Sequence, residues 1–308
     1  CVRRRQHHRH AAALEVERNF VRDFPFRDGM FEVAVREHRL VHQVLEAGLE
    51  VAVEITVFQR VVGFLAVEIE VLFQPQFACA TGAVAGAEAL ARWRHPGLGE
   101  IGARDLFAIA ERAALVAPLS RHVVARALAE AARWPAHLTL SLNITPEELG
   151  DPRFAADFAA VIGRSEIAPE RLMLEITEDV LLRNLAQAAA ALKALRSLGF
   201  RTALDDFGAG FCNFRYLREL PLDALKLDRA MIEGVPGDPK ALAVLRAIVQ
   251  LARALELTVY AEGIESEAQR AAIVAEGGDY WQGFLRAQPM PSTGVMRLAE
   301  AAQAGSAS

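Results

Sequence analysis

From Val71 onward the chain repeats one pattern, a short β-rich run followed by an alanine- and leucine-rich stretch with helical spacing. Strands are expected at 71–76, 83–90, 138–144, 172–177, 201–205, 224–228, 258–261 and 280–284. Helices are expected at 103–113, 120–132, 152–162, 182–198, 241–255 and 267–275. Eight strands in about 225 residues, most followed by a helix, place the chain in the α/β class as a (β/α)8 TIM-like barrel, whose usual size is ~250 residues. A doubly wound open sheet is the alternative, but no Gly-x-Gly-x-x-Gly turn follows an early strand. Residues 297–308 read as a closing helix fraying into a small-residue tail, which puts the barrel at 71–296.

In such a barrel, functional groups stand where strands end and their following loops begin. Polar residues fill those places repeatedly. Glu88 sits late in the second strand, Asn143 ends Leu-Thr-Leu-Ser-Leu-Asn, and Glu175 ends Leu-Met-Leu-Glu. Asp205 and Asp206 end the next strand, Lys226 lies late in the one after, Glu262 follows Thr-Val-Tyr-Ala, and Gln282 lies in the last. Each has an ordinary role when taken alone: Asn143 or Thr145 can cap a helix beginning at Pro146, Glu175 can pair with an arginine, and Gln282 can be a hydrogen-bonder at the rim. Asp205 can be a plain strand-end residue and Asp206 a turn former. Taken together, they would converge on one mouth.

Neighbouring aspartates repel, and in a partly buried site one is driven toward its neutral form unless a cation sits beside it. Five carboxylates and an amide oxygen make a hard, oxygen-only ligand set, suited to Mg²⁺ or Mn²⁺ rather than zinc or copper. Two ions fit so many carboxylates better than one, with an aspartate bridging ions about 3.5 to 4 Å apart, and that arrangement serves in-line displacement at phosphorus. The expected chemistry is therefore phosphodiester hydrolysis. Lysine occurs only as Lys193, Lys226 and Lys240 in an otherwise arginine-using chain. Lys226 would hold or deprotonate the attacking water, or neutralise phosphoryl oxygens.

Composition narrows the partners. With 308 residues, 53% of them hydrophobic, the chain can bury a large core. A net charge of -5 offers no basic tract for a nucleic-acid polymer. Cys1, Cys79 and Cys212 are too few and scattered for a disulfide framework or a cysteine metal site, so a reducing, cytoplasmic setting is expected. Glu68 and Glu70 interrupt the most apolar run, so no membrane segment is expected. Residues 1–70 are left as an unassigned extension or linker. They begin Cys-Val-Arg-Arg-Arg without an initiator methionine, as a fragment or shifted frame would, and no apolar core follows to make a signal peptide.

The segments Glu88-Ala89-Leu90-x-Arg92-Trp93, Leu142-Asn143, Glu175-Ile-Thr-Glu178, Asp205-Asp206-Phe-Gly, Leu225-Lys226-Leu-Asp228, Ala261-Glu262-Gly-Ile-Glu265 and Gln282-Gly283 also carry a signature. In this order, from about Val71 to Pro291, they closely resemble the EAL domain of bacterial cyclic di-GMP phosphodiesterases. The resemblance implies a barrel that departs from the standard form near its first strand, two Mg²⁺ or Mn²⁺ ions, and hydrolysis of cyclic di-GMP to linear pGpG. It implies that Glu88, Asn143, Glu175 and Asp205 hold the first ion, Asp205 bridging, while Asp206 and Glu262 hold the second. Lys226 would position the water, with Glu262 and Gln282 also in the catalytic set. Gln74, Leu90, Arg92 and Gln282 would contact substrate, Arg92 at its phosphate. Glu178 would steady the loop after Asp206, which the family uses in metal binding and dimer coupling, and Asp228 and Glu265 would stand behind the ligands. A homodimer through this domain is a further implication.

Two departures from the family pattern stand out. The stretch Ala209-Gly-Phe211-Cys212-Asn213-Phe214 replaces the common Thr-Gly-Tyr-Ser-Ser-Leu, and Ala103 stands where proline is usual. No ligand position is lost, but the loop's hydrogen bonding must differ, and a catalytically weak domain acting as a dinucleotide sensor or protein-interaction module is the alternative function.

Overall fold

The computed structural model describes residues 69–95, 98–113, 115–177, 185–210 and 214–306. Eight strands close a barrel: β1 (Ile69–Ala78), β2 (Val84–His95), β4 (Thr139–Asn143), β5 (Leu172–Thr177), β6 (Arg201–Phe207), β7 (Ala224–Leu227), β8 (Thr258–Ala261) and β9 (Tyr280–Trp281). A short β3 (Gly99–Gly102) adds to the outer half of β2. The neighbours run β1-β9-β8-β7-β6-β5-β4-β2, and pairing of β1 with β2 closes the ring. All barrel neighbours are parallel except β1, which is antiparallel to both β2 and β9. The cause is connection length: only residues 79–83 join β1 to β2, whereas a parallel crossover needs a dozen or more residues.

Outward-facing strand residues pack on the helices. Phe73 meets Trp134 edge-on at 5.1 Å between ring centroids, and Phe77 stacks on Trp281 at 4.8 Å. Inside the barrel, Met173, Ala203, Ala224 and Tyr260 form a buried apolar layer, with Tyr280 stacked on Tyr260. Side chains on one face of a strand recur every second residue. Two residues further along the chain from these five stand Glu175, Asp205, Lys226, Glu262 and Gln282, the last two just past the ends of their strands. The polar site is therefore the next layer up, floored by an apolar one.

Some boundaries differ from the sequence expectation. The last strand stops at Trp281, with Gln282 just beyond it, because the chain at Gly283 passes so close to Ile264 that a Cβ there would lie 2.1 Å from the Ile264 carbonyl oxygen. The closing helix (Ser292–Ser306) starts earlier than residue 297. The second strand runs on to His95, since β3 gives its outer half a partner.

Candidate metal and catalytic site

Lys226 is the hub. It is 1% exposed, and its Nζ lies 2.7 Å from Glu175 Oε2, 2.8 Å from Glu262 Oε1, 2.9 Å from Asp205 Oδ1 and 3.5 Å from Glu88 Oε2. Gln282 links two of these acids, its Nε2 donating to Glu88 Oε2 at 2.8 Å and to Glu262 Oε1 at 2.9 Å. Asn143 Nδ2 donates to Glu88 Oε1 at 2.9 Å. Thr145, not Asn143, caps the helix at Pro146–Leu149 through a capping box with Glu148, which leaves Asn143 to the site.

Asp206 reaches the same mouth by a backbone device. Consecutive strand residues point to opposite faces. Here Asp206 adopts φ 54, the β6–β7 register slips between Leu204 and Phe207, and the Asp206 N–H donates to Asp205 Oδ1 at 2.9 Å. This left-handed conformation, which aspartate tolerates better than most residues, turns the second carboxylate back toward the first. Gly208 completes the turn at φ 104, where a Cβ would lie 2.2 Å from Met231 Cγ.

Carboxylate oxygens of Glu88, Glu175 and Asp205 lie within 4.8 Å of one another, and so do those of Asp205, Asp206 and Glu262. Asp205 belongs to both groups. Among the described residues five acids face a single ammonium, and buried Glu175 Oε1 has no hydrogen-bond partner. A buried, unpaired carboxylate oxygen beside other carboxylates is the donor chemistry that a hard divalent cation satisfies.

The electrostatics follow from this crowding. Burial holds Glu175 well above the usual carboxylate range, against the pull of Lys226 and with reinforcement from Glu88 and Asp205. Burial also raises Asp205, pushes Glu262 up to about 8, and with Asp205 pushes the more accessible Asp206 up to about 6. Glu88 moves down: burial is its largest single influence, but Lys226 and the amides of Gln282 and Asn143 together outweigh it. For Lys226 the surrounding carboxylates likewise outweigh burial and hold it well above its ordinary value, so it stays charged.

These shifts predict how the metal-free protein responds to pH. Stability from a raised acid is full below its unfolded value and is lost as pH rises through its folded value, here about 6 for Asp206 and about 8 for Glu262. Glu88 acts with the opposite sign, but it is one group against four. The melting temperature without divalent ions is expected to fall between about pH 5 and about pH 8.5, and a flat or rising series of thermal melts would contradict the cluster's electrostatics.

The remaining candidates lie around this cluster. Gln74 pairs across β1–β2 with Glu88, and Leu90 and Arg92 continue the Glu88 face of β2 toward the rim, Arg92 lying 3.8 Å from Glu100. Asp228 accepts from the Ala230 N–H as a helix cap and adds to the negative field that raises Asp206, and Glu265 is ion-paired with Arg229 at 2.7 Å. Glu178 lies outside the described residues, as do Phe211, Cys212 and Asn213 of the altered loop. Gln76 and Ser141 were missed in the sequence, although each stands two residues from a singled-out position, Gln74 or Asn143.

Residues 62–289 match the family profile described as EAL domain. A cyclic di-GMP phosphodiesterase of Pseudomonas aeruginosa is 39% identical over 222 residues, covering 71% of this chain and 38% of that protein. The cyclic di-GMP phosphodiesterase RocR of the same organism is 33% identical over 278 residues, covering 89% of this chain and 71% of RocR. A structure of the PaMucR phosphodiesterase in complex with c-di-GMP superposes with a TM-score of 0.73 at 29% identity, covering 80% of this chain and 100% of that one. The chain spans between 28% and 38% of the length of several curated relatives it matches.

Proposed function

Because the chain belongs to the EAL domain family, we propose that it hydrolyses cyclic di-GMP to linear pGpG with the help of two divalent ions, Mg²⁺ or Mn²⁺. The observation that carries the reading is the pair of carboxylate groups sharing Asp205, with an unpartnered oxygen of Glu175 buried among them. Glu88, Glu175, Asp205 and the Asn143 amide oxygen would hold one ion, and Asp205, Asp206 and Glu262 the other. When bound, such ions supply Lewis acidity and a reactive water.

The chain's own groups do the rest. Lys226, charged and flanked by four carboxylates, keeps a positive charge where phosphoryl charge grows and can orient a water by donating to it. Gln282 keeps Glu88 and Glu262 apart and aimed, because its two N–H bonds end on different acids. Arg92, half-buried on β2, offers a guanidinium to a substrate phosphate at the rim, and Gln74 and Leu90 line the same wall. A cytoplasmic homodimer belongs to the same reading; among the described residues no helix is long and apolar enough to cross a membrane.

Purified protein given cyclic di-GMP with Mg²⁺ or Mn²⁺ is expected to yield pGpG, and Glu88→Ala to lose roughly 10²-fold or more of that activity. Wild-type protein that binds the dinucleotide without cleaving it would instead establish a sensor, with the altered Ala209–Phe214 stretch as the first place to look.

A further inference from the structure

We propose that Gln76 is a positioning residue that sets the orientation of the Gln282 amide and, through it, of Glu88 and Glu262. A glutamine amide has two unlike ends, one donating and one accepting. Ionised carboxylates only accept, so Glu88 and Glu262 require the Gln282 NH₂ to face them, at 2.8 and 2.9 Å. That choice leaves Gln282 Oε1 inside the barrel in need of a donor. Gln76 Nε2 supplies it at 3.1 Å, and also reaches Ser141 Oγ at 3.3 Å.

Both glutamines are buried, at 1% and 5% exposure, so water is a poor substitute for either bond. Gln76 carries a penalty for this arrangement: its own Oε1 has no hydrogen-bond partner among the described residues. A buried polar group that leaves half its capacity unmet is poor material for a core, and Gln76 sits opposite Gly86 on β1, where an apolar side chain would be the simpler filling. Its one well-placed donor reads instead as a lock on the amide next to the acids. Turning Gln282 over would set its carbonyl against two carboxylates.

The consequence for metal binding rests on the two-ion reading; the orientation of Gln282 does not. The test uses the full chain labelled with ¹⁵N-glutamine, the Gln282 side-chain amide being assigned by its absence from Gln282→Asn. Gln76→Met keeps length and removes the donor. In Gln76→Met, exchange of the Gln282 amide hydrogens is expected to quicken, and Mn²⁺ binding followed by electron paramagnetic resonance to weaken about tenfold, the usual scale for residues supporting metal ligands. The melting temperature should change little, since one buried unpartnered amide oxygen takes the place of another. A purely space-filling role would leave exchange and Mn²⁺ affinity unmoved in Gln76→Met. An equally protected Gln282 amide together with Mn²⁺ affinity within about twofold of wild type overturns the proposal. If wild type binds no Mn²⁺, the two-ion reading fails and the exchange comparison alone decides the role of Gln76.

Discussion

Lys226→Met is expected to destabilise the metal-free protein by roughly 3–5 kcal/mol, the usual loss when one partner of a buried ionic cluster is removed. The side chain is 1% exposed and is the hub for Glu88, Glu175, Asp205 and Glu262. Methionine fills similar volume, so the loss comes from charge and not from a cavity. Without the ammonium the acids must take up protons or spread apart. Saturating Mn²⁺ should therefore recover much of the melting temperature, while on the proposed mechanism pGpG formation stays at least ~10²-fold down, because the variant lacks the positive charge that the proposal sets beside the phosphoryl group. Thermal melts with and without Mn²⁺, paired with turnover of cyclic di-GMP, separate the two effects. A variant as stable as wild type without metal, or as fast as wild type with it, would remove Lys226 from the hub.

Asp205→Asn should do the reverse to stability and more to activity. Asparagine keeps an Oδ1 that can accept from the Asp206 N–H and from Lys226, the two bonds Asp205 makes now. It also discards a charge that burial already disfavours, since Asp205 is raised above the usual carboxylate range. The metal-free protein is thus expected to melt at the same temperature or higher, a trade of function against stability that charged sites often show. Both carboxylate groups lose their shared member, so hydrolysis should fall by ~10³-fold or more and the Mn²⁺-induced rise in melting temperature should largely vanish. An undiminished Mn²⁺ shift would sink the idea of a shared ligand.

Much of this site is legible along the chain because a strand has a period of two. Glu175, Asp205, Lys226, Glu262 and Gln282 stand at corresponding ends of apolar runs, and the barrel brings them together two residues above its apolar floor. The same rule would have found Gln76 and Ser141, had the alternation been followed back down β1 and β4 from Gln74 and Asn143. The reversed first strand was also within reach, since the gap between the first two β-rich runs is too short for a parallel crossover.

The sequence by itself determined the barrel, the family and the set of acids, because hydrophobic period and residue type are local properties of the chain. Tertiary structure alone decided how those acids are shared. Only the closed ring puts Lys226 within reach of carboxylates from β2, β5, β6 and β8, and only the left-handed turn at Asp206 aims two successive side chains at one mouth. Distances between strands far apart in sequence, and a backbone angle imposed by the strand end around it, are set by packing and leave no mark in the local pattern.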